Sequence, residues 1–331
     1  MPQIHYLNVK NGDCSFIKHY DGRISVIDVN NAYLPSRKEK MEQKEQLLKS
    51  FIFEKQRGNF NQKNNPVNPI EYLKSHNISS VFRFILTHPD MDHMDGIEDF
   101  FQTFSPTNFW DTENTKELAD FSSGRFNESD WDFYKGLKNG NKNVTRLALY
   151  DGSKGQYYNQ DVNGQGGGNG LHILAPTHEL IRIANETEEW NDSSYVILYL
   201  VGKFKILFCG DADNNTWDHL LKNHKSDITN IDLLIAPHHG RKSSCSYEFL
   251  KVLNPKVTFF GNADKASQLA HSMFSNLGLY RITNNQGNCL IANVENDNME
   301  IYVTNEAFAI QEYGSRVYNA QVQGYLVKSI V

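Results

Sequence analysis

The segment THPDMDHMDG, residues 87 to 96, constrains the fold of this chain more than any other stretch. An apolar run, VFRFILT (81–87), precedes it and is short, β-branched and aromatic, which predicts a buried strand. The run GIEDFFQTF that follows has four apolar residues at helical spacing. The polar cluster therefore lies on the turn from a strand into a helix, where open α/β folds place their functional residues.

Four side chains that can bind a metal fall within six residues of this turn: His88, Asp90, Asp92 and His93. Carboxylates that close repel one another unless a positive charge lies between them. One or two divalent cations are the simplest source of that charge. The alternative is an ordinary polar turn in which Asp92 caps the helix that follows.

The overall charge limits the kinds of partner that the chain can bind. The 331 residues carry a formal net charge of −6, which argues against a broadly basic surface that coats duplex DNA but leaves room for a local basic groove. Hydrophobic residues make up 39% of the chain, as in a soluble globular protein with a proper core. The four cysteines form no CxxC pair, which favours a reducing compartment and excludes a zinc-finger module.

The chain has no sequence feature of a membrane or secreted protein. The N-terminal segment MPQIHYLNVKNGDCSFI has neither a basic start nor a long apolar stretch. No run approaches the roughly 18 apolar residues that span a bilayer. We therefore expect a cytoplasmic protein with no membrane partner.

Short apolar runs predict strands along most of the chain. The clearest are IHYLNV (4–9) and CSFIKHY (14–20), joined by the turn NGD, then ISVIDVN (24–30), a hairpin over 195–210 that turns at 201–203, IDLLIAP (231–237) and KVTFFG (256–261). Helical patterns alternate with these strands in the middle of the chain. The order favours two sheets with helices outside them.

Three other segments have weaker patterns. Residues 37–57 read as a charged helix; its basic residues could contact a phosphate backbone, but its mixed signs favour a solvated surface. The glycine-rich stretch GQGGGNG (164–170) lacks the GK[ST] ending of a phosphate-binding loop and precedes a strand, which favours a flexible loop. The tail, 312–331, has no pattern that places it.

Three more predicted strands end in residues that can bind a metal. Asp28 ends one of them, Asp211 and Asp213 follow another, and His238 and His239 follow a third. With the 88–93 cluster, four strand ends carry such side chains. A single acidic or imidazole residue at a strand end says little, but four in this order indicate one composite site.

The order Asp28, HxDxDH at 88–93, GDAD at 210–213 and PHHG at 237–240 resembles the metallo-β-lactamase fold. More closely, the chain is similar to the hydrolase domain of ComEC-like DNA-uptake proteins, which also have counterparts of YLNVKNGDCSFI, NDSSYVIL (191–198) and HSMF…YRITNNQGN (271–288). The resemblance implies an α/β fold, a four-layer αββα sandwich of two mixed sheets with helices outside. It implies one domain over 1–310, with insertions at about 31–65 and 105–165, and a C-terminal extension over 311–331.

The chain departs from the broad family at two positions. That family has histidine where Asp90 stands and another histidine between 93 and 211, where this chain offers Asn191, Asp192 and Ser193. By resemblance, a first metal site would contain His88 and Asp90, with Asp192 or Asn191. More oxygen ligands shift the preference from Zn²⁺ towards harder ions such as Mn²⁺.

A second metal site is also implied by the resemblance. It would contain Asp92, His93, a bridging Asp211 and one histidine of the 238–239 pair. We predict His238 as that ligand and His239 as a catalytic residue. The predicted cofactor is one or two divalent ions, Zn²⁺ or Mn²⁺.

Other residues receive predicted catalytic or supporting roles. Asp92 could also accept the proton of a metal-bound water, and His239, Lys242, Ser243 and Ser244 in HHGRKSS could hold a phosphate, although this stretch also fits a polar turn. Lys242 is therefore predicted as catalytic. Candidates for orienting a ligand or contacting substrate are Asp28, Asp192, Asp213, Ser243 and His271; a purely structural role is an open alternative for Asp28 and His271.

The resemblance implies a metal-dependent hydrolase, most directly a phosphodiesterase or nuclease that acts on DNA through a metal-activated hydroxide. Its expected partner is a nucleic acid substrate, which a protein partner could deliver. Two alternatives stay open: a small-molecule hydrolase of the same fold that cleaves an ester, a lactam or a cyclic nucleotide, and a non-catalytic module of a larger complex. The oligomeric state is not predicted.

Overall fold

The computed structural model describes residues 1–34, 60–117, 121–122, 124–140, 142–314 and 316–331. The helix predicted over 37–57 lies outside the described residues. Within them, sixteen strands and nine α-helices alternate along the chain.

The strands are short and mostly buried on both faces. They are β1 (Gln3–Tyr6), β2 (Ser15–Lys18), β3 (Ile24–Ile27), β4 (Arg83–Ile85), β5 (Asn108–Trp110), β6 (Thr145–Leu147), β7 (Leu171–Ala175), β8 (Val196–Val201), β9 (Phe204–Phe208), β10 (Leu233–Ile235), β11 (Val257–Phe260), β12 (Arg281–Thr283), β13 (Leu290–Glu295), β14 (Asn298–Val303), β15 (Tyr318–Asn319) and β16 (Gly324–Ile330).

The nine described helices are α1 (Pro69–Ser75), α2 (Ile97–Phe104), α3 (Glu128–Lys138), α4 (His178–Thr187), α5 (Asn214–Asn223), α6 (Phe249–Leu253), α7 (His271–Asn276), α8 (Asn284–Gly287) and α9 (Glu306–Tyr313). Seven of them, α1 to α7, cover the outer faces of the sheets, whereas Phe308 and Ala309 of α9 belong to the core between the sheets. The helix predicted after the polar cluster is confirmed as α2, and its four apolar residues are all buried.

Two mixed sheets form the framework. The larger has the order β15-β16-β14-β13-β1-β2-β3-β4-β5-β6, and the smaller has the order β12-β11-β10-β9-β8-β7. β3 and β4 run parallel in the larger sheet, and β9 and β10 run parallel in the smaller one. Each sheet therefore presents the carboxyl ends of a parallel pair of strands.

The apolar core has three main parts that define four layers. The central part, between the sheets, includes Tyr6 and Ile4 of the larger sheet and Ile197 and Phe208 of the smaller sheet. A second part packs α1, α2 and α3 on the outer face of the larger sheet. A third packs α4 to α7 on the smaller sheet. The predicted αββα sandwich is confirmed.

Several local predictions are also confirmed. β1 and β2 flank the NGD turn, β8 and β9 form the predicted hairpin with Gly202 in its turn, and residues 164–170 form a loop that leads into β7. The predicted 105–165 insertion supplies β5, α3 and β6, and so extends one edge of the larger sheet.

The segment predicted as a C-terminal extension forms part of the larger sheet. β16 pairs with β14 in antiparallel register, and β15 pairs with β16 at the sheet edge. Four of the seven residues of β16 are buried, and Val327 and Ile330 belong to the core between the sheets. The tail therefore belongs to the sandwich.

Two further findings concern the whole described part of the chain. All four cysteines are free thiols and buried. Among the residues that the structure describes, no helix combines the length and the apolar character needed to cross a bilayer.

Candidate metal centre

The carboxyl ends of the two parallel strand pairs meet at one edge of the sandwich. Each of these four strands is followed, within three residues, by a polar side chain of the predicted site. These are Asp28 after β3, the 88–93 cluster after β4, Asp211 after β9, and His238 and His239 after β10. The structure thus brings together residues that are up to 211 positions apart in sequence.

Asp211 lies at the centre of this group. Its Oδ1 is 3.3 Å from Nε2 of His93, and its Oδ2 is 3.5 Å from Nε2 of His239. The same His239 nitrogen is 3.6 Å from Oδ2 of Asp92. Asp92, His93, Asp211 and His239 therefore direct two nitrogens and two carboxylates towards a common region.

Several polar atoms in this region are buried without a hydrogen-bond partner among the described residues. They include Nε2 of His88, His93 and His239, and Oδ1 of Asp211. A buried polar atom left unsatisfied costs about 1–3 kcal/mol. A divalent cation bound between the nitrogens and the carboxylates would satisfy them together, so these residues fit a metal.

The electrostatics of the group are those of a cation site. Burial lowers the pKa of His239, but Asp13 and Asp211 outweigh it and raise that pKa to about 10. Burial opposes ionisation of Asp211, yet His239 and His93 hold its pKa well below the ordinary value. Protonated imidazoles therefore balance the carboxylates, and a metal that binds here must displace those protons.

Asp28 holds His93 in place. Its Oδ2 accepts a hydrogen bond from Nδ1 of His93 at 2.8 Å, and its two oxygens also accept from the backbone N and the hydroxyl of Thr87, each at 2.7 Å. A carboxylate on the far nitrogen of a histidine fixes the tautomer that leaves Nε2 free for a metal. The predicted orienting role of Asp28 agrees with this geometry.

Asp13 lies against Nδ1 of His239 as an ion pair, and no motif in the sequence marks it. Its Oδ1 lies 2.8 Å from Nδ1 of His239, and the hydroxyl of Tyr6 donates a hydrogen bond to the same oxygen. Asp13 is the last residue of the NGD turn between β1 and β2, and its only signal in the sequence is that this turn ends in an acidic residue.

Gly12 allows this turn to approach the cluster. A Cβ at Gly12 would lie 2.0 Å from the carbonyl oxygen of Asp92 and 2.6 Å from Nδ2 of Asn30. Real Cβ atoms do not come so close to backbone atoms, so only glycine fits here. The close approach places Asp13 beside His239.

Asp90 is paired with a lysine. Its Oδ1 is 2.6 Å from Nζ of Lys116, while its Oδ2 is 3.7 Å from Nε2 of His88. Burial opposes ionisation, but His88 and Lys116 hold the pKa of Asp90 well below its usual range. Lys116 comes from the 105–165 insertion and supplies part of the positive charge that we expected a metal to provide beside these carboxylates.

The two adjacent histidines after β10 occupy different environments. Both have left-handed backbone, with φ of 53° at His238 and 57° at His239, a conformation that costs about 1–3 kcal/mol for most residues. The ring of His239 is fully buried, whereas the side chain of His238 is 27% exposed, with its Nε2 3.7 Å from Oδ2 of Asp211. His239 therefore has ligand geometry, and His238 lies at the opening.

Asp192 does not join the cluster. Its carboxylate accepts hydrogen bonds from the backbone N and hydroxyl of Thr216 and from Nδ2 of Asn215, at 2.7–3.2 Å, and so anchors the start of α5. Asp213 caps the same helix by accepting from the backbone N of Asn214 at 2.9 Å. Both contacts are those of helix-capping residues.

The remaining candidates lie around the turn after β10. The Ser243 hydroxyl donates to Sγ of Cys245, and Lys242 is exposed. His271 stacks on Phe260 and accepts a hydrogen bond from Nε of Arg281 at 2.8 Å. Ser243 and His271 are thus engaged in local contacts, while Lys242 is free to meet a substrate.

No protein-family model and no curated protein sequence matches the chain. Among solved structures, it is similar to Igni18, a metallo hydrolase from Ignicoccus hospitalis (TM-score 0.46, 10% identity, 88% of this chain and 100% of that one). It is similar to CmlA, a diiron β-hydroxylase from Streptomyces venezuelae (0.44, 11%, 85% and 52%), and to metallo-β-lactamase SMB-1 (0.34, 13%, 71% and 76%). These similarities are low and the named activities differ, so the function has to be inferred from the residues of this chain.

Proposed function

We propose that this protein is a metal-dependent hydrolase that cleaves phosphodiester bonds, with DNA as its substrate. The observation that supports it is the convergence of three unsatisfied imidazole nitrogens on Asp211, at the meeting point of four strand ends. The order of the motifs, which resembles that of ComEC-like domains, favours DNA over a lactam or ester.

The proposed ligands of the main cation are Asp92, His93, Asp211 and His239. His88 and His238 lie 4.0 Å and 3.7 Å from Oδ2 of Asp211 and, with Asp90, are the proposed ligands of a second cation. A mixture of imidazole and carboxylate ligands suits Zn²⁺ or Mn²⁺. When bound, such an ion polarises a phosphoryl oxygen and lowers the pKa of a coordinated water towards about 7.

The protein residues orient the ligands and accept the proton. Asp28 and Asp13 fix the rings of His93 and His239. Asp92 is the proposed proton acceptor, because its side chain is 22% exposed while that of Asp211 is 5% exposed. A base must reach the attacking water at hydrogen-bond distance, and Asp92 lies on the open side of the cluster.

Basic side chains near the opening suit an anionic substrate. Lys116 lies against Asp90, and Arg241 and Lys242 follow the histidine pair. Nη2 of Arg241 donates to the carbonyl oxygen of Asn11 at 3.3 Å, which holds its guanidinium beside the NGD turn. Guanidinium and ammonium groups bind phosphate oxygens, so this local positive charge suits a phosphodiester on a chain of net charge −6.

The test is a cleavage assay on labelled single- and double-stranded DNA, with Mn²⁺ or Zn²⁺, for the wild type, Asp211→Asn and Asp213→Asn. The two variants make the same change two residues apart, but only Asp211 contacts the cluster, and asparagine at 213 can still cap α5. We expect wild type and Asp213→Asn to cleave DNA and Asp211→Asn to fail.

Turnover of bis-p-nitrophenyl phosphate without DNA cleavage would mean that the substrate is a small phosphodiester and not DNA. Wild-type protein that binds metal but cleaves neither substrate would overturn the proposal in favour of a non-catalytic module. Equal activity of Asp211→Asn and wild type would overturn the assignment of the site.

A further inference from the structure

A second group of metal-ligating side chains lies away from the cluster described above. Oδ2 of Asp151 is 3.3 Å from Nε2 of His219, and Oδ1 of Asp151 is 2.9 Å from Nε2 of His224. One ligand atom from each residue lies within 4.8 Å of the other two. Ligands of a tetrahedral zinc ion, at about 2.0–2.2 Å from the metal, are about 3.3–3.6 Å apart, so small shifts would suffice.

The two histidine nitrogens that face Asp151 differ in their hydrogen bonding. Nε2 of His224 is buried and has no hydrogen-bond partner among the described residues, although Asp151 is close. Nε2 of His219 lies 3.1 Å from the carbonyl oxygen of Leu174. A cation in place of the His219 proton would contact this nitrogen, Asp151 and His224, and the Leu174 carbonyl offers a further oxygen.

Both histidines have a partner on the far side of the ring. Nδ1 of His224 lies 3.0 Å from Oδ2 of Asp227, and Nδ1 of His219 lies 2.9 Å from the side-chain amide of Asn223. Metal-bound histidines almost always donate their other N–H to such a group. The carboxylate of Asp227 is such a group for His224, whereas Nδ2 of Asn223 also donates to the carbonyl oxygen of His219 at 3.1 Å, so His219 would accept from this amide.

The position of the group in the fold indicates what a metal would do there. Asp151 lies in the connection between β6 of the larger sheet and β7 of the smaller sheet, and its backbone N bonds to the carbonyl oxygen of Pro176, just after β7. His219 lies in the second half of α5 and His224 directly follows that helix, which covers the smaller sheet. A shared ion would therefore fasten this connection to α5.

We propose that Asp151, His219 and His224 form a structural metal site of zinc type, separate from the candidate hydrolytic centre. Two imidazoles and one carboxylate, with an oxygen in the fourth position, are a common ligand set for Zn²⁺. The site does not depend on the proposed function, since it shares no residue with the Asp211 cluster.

The test uses the full chain with Asp211→Asn, which weakens the main centre, after chelation and dialysis against Zn²⁺. Zinc per chain is measured by mass spectrometry, and Co²⁺ replacement gives a visible spectrum that reports four-coordination. We expect the His219→Gln/His224→Gln variant to lose one zinc equivalent and the cobalt bands. His178→Gln, a nearby exposed histidine against Tyr150, should lose neither.

Circular dichroism checks that each variant is folded. If the double variant does not fold, Asp151→Asn tests the same site from the connecting loop and should also lose one equivalent. Equal zinc content and unchanged cobalt spectra in the folded variants and in His178→Gln would overturn the proposal and leave the group as ion pairs only. Neither result depends on whether DNA is cleaved.

Discussion

The Asp211 cluster and the peripheral group of Asp151, His219 and His224 offer similar side chains in different surroundings. His88, His93 and His239 are fully buried, whereas His219 and His224 are 13% and 16% exposed and Asp151 is 24% exposed. Burial makes the cost of leaving a charge unpaired much larger. An unpaired charge would therefore cost more in the buried cluster than in the peripheral group, whose members are partly exposed.

The two regions also differ in how their ligands are supported. In the cluster, Asp28 and Asp13 are themselves buried and fixed by further hydrogen bonds from Thr87 and Tyr6. In the peripheral group, the supporting Asp227 is 49% exposed. Strand ends inside a sandwich give a rigid site suited to catalysis, and a helix end on the surface gives a site suited to stabilisation.

The largest expected effect comes from the same substitution made in both regions. His239→Gln should lower DNA cleavage by more than about 100-fold, because loss of an outer partner alone costs about 10–100-fold and this change removes a ligand. His224→Gln should leave cleavage within about twofold, because it contacts only the peripheral group. Initial rates at saturating Mn²⁺ measure both, and equal losses in the two variants would contradict this division of roles.

Asp28→Asn and Asp13→Asn should each weaken metal binding at the cluster by about 10–100-fold. An asparagine cannot supply the carboxylate that orients the ring of His93 or His239. Competition with a chromogenic chelator measures the metal affinity of the cluster. Asp227→Asn, beside the peripheral group, is the matched control and should change that affinity less. Unaltered affinity in both cluster variants would show that these carboxylates do not support the ligands.

Lys116→Gln should strengthen the binding of a second cation about tenfold, which corresponds to about 1.4 kcal/mol. The substitution removes the ammonium 2.6 Å from Asp90 and leaves that carboxylate to pair with a metal beside His88. Isothermal titration with Mn²⁺ measures this, with Lys242→Gln as the control. A weaker second binding event would mean that Lys116 does not compete with the metal.

The smallest effect concerns stability. Zinc at about ten times its dissociation constant for the peripheral site should stabilise the fold by about 1.4 kcal/mol, because it binds only the native group. In a chain of this size we expect a rise in Tm of about 2 °C. The rise should occur in Asp211→Asn and disappear in His219→Gln/His224→Gln; a shift that survives in the double variant would place the stabilising ion elsewhere.

The framework could be predicted because the patterns that indicate it lie within short stretches of sequence. Short apolar runs mark β3, β4, β9 and β10, and the Asp or His residues directly after them mark the edge where those strands end. The HxDxDH spacing alone puts His88, Asp92 and His93 on one turn. These features require no knowledge of distant partners.

What the sequence did not predict depends on contacts between distant residues. Lys116 reaches Asp90 across 26 positions, and Asp13 meets His239 only because the first turn packs against the end of β10. The position of Asp192 before β8 suggested a metal ligand, but its carboxylate accepts hydrogen bonds from the first turn of α5. The choice between His238 and His239 follows from two left-handed backbone residues, which no local pattern shows.

The uneven spacing of the cluster residues along the chain has a consequence for folding. His88, Asp90, Asp92 and His93 are close together in any conformation, whereas Asp211 and His239 join them only when both sheets have formed. An unfolded chain can thus already capture a metal on the local run, and binding to the unfolded state reduces the stabilisation that the metal gives. The free energy of unfolding should therefore rise less with metal concentration than the affinity of the native site alone predicts, which denaturant titrations at increasing Mn²⁺ measure.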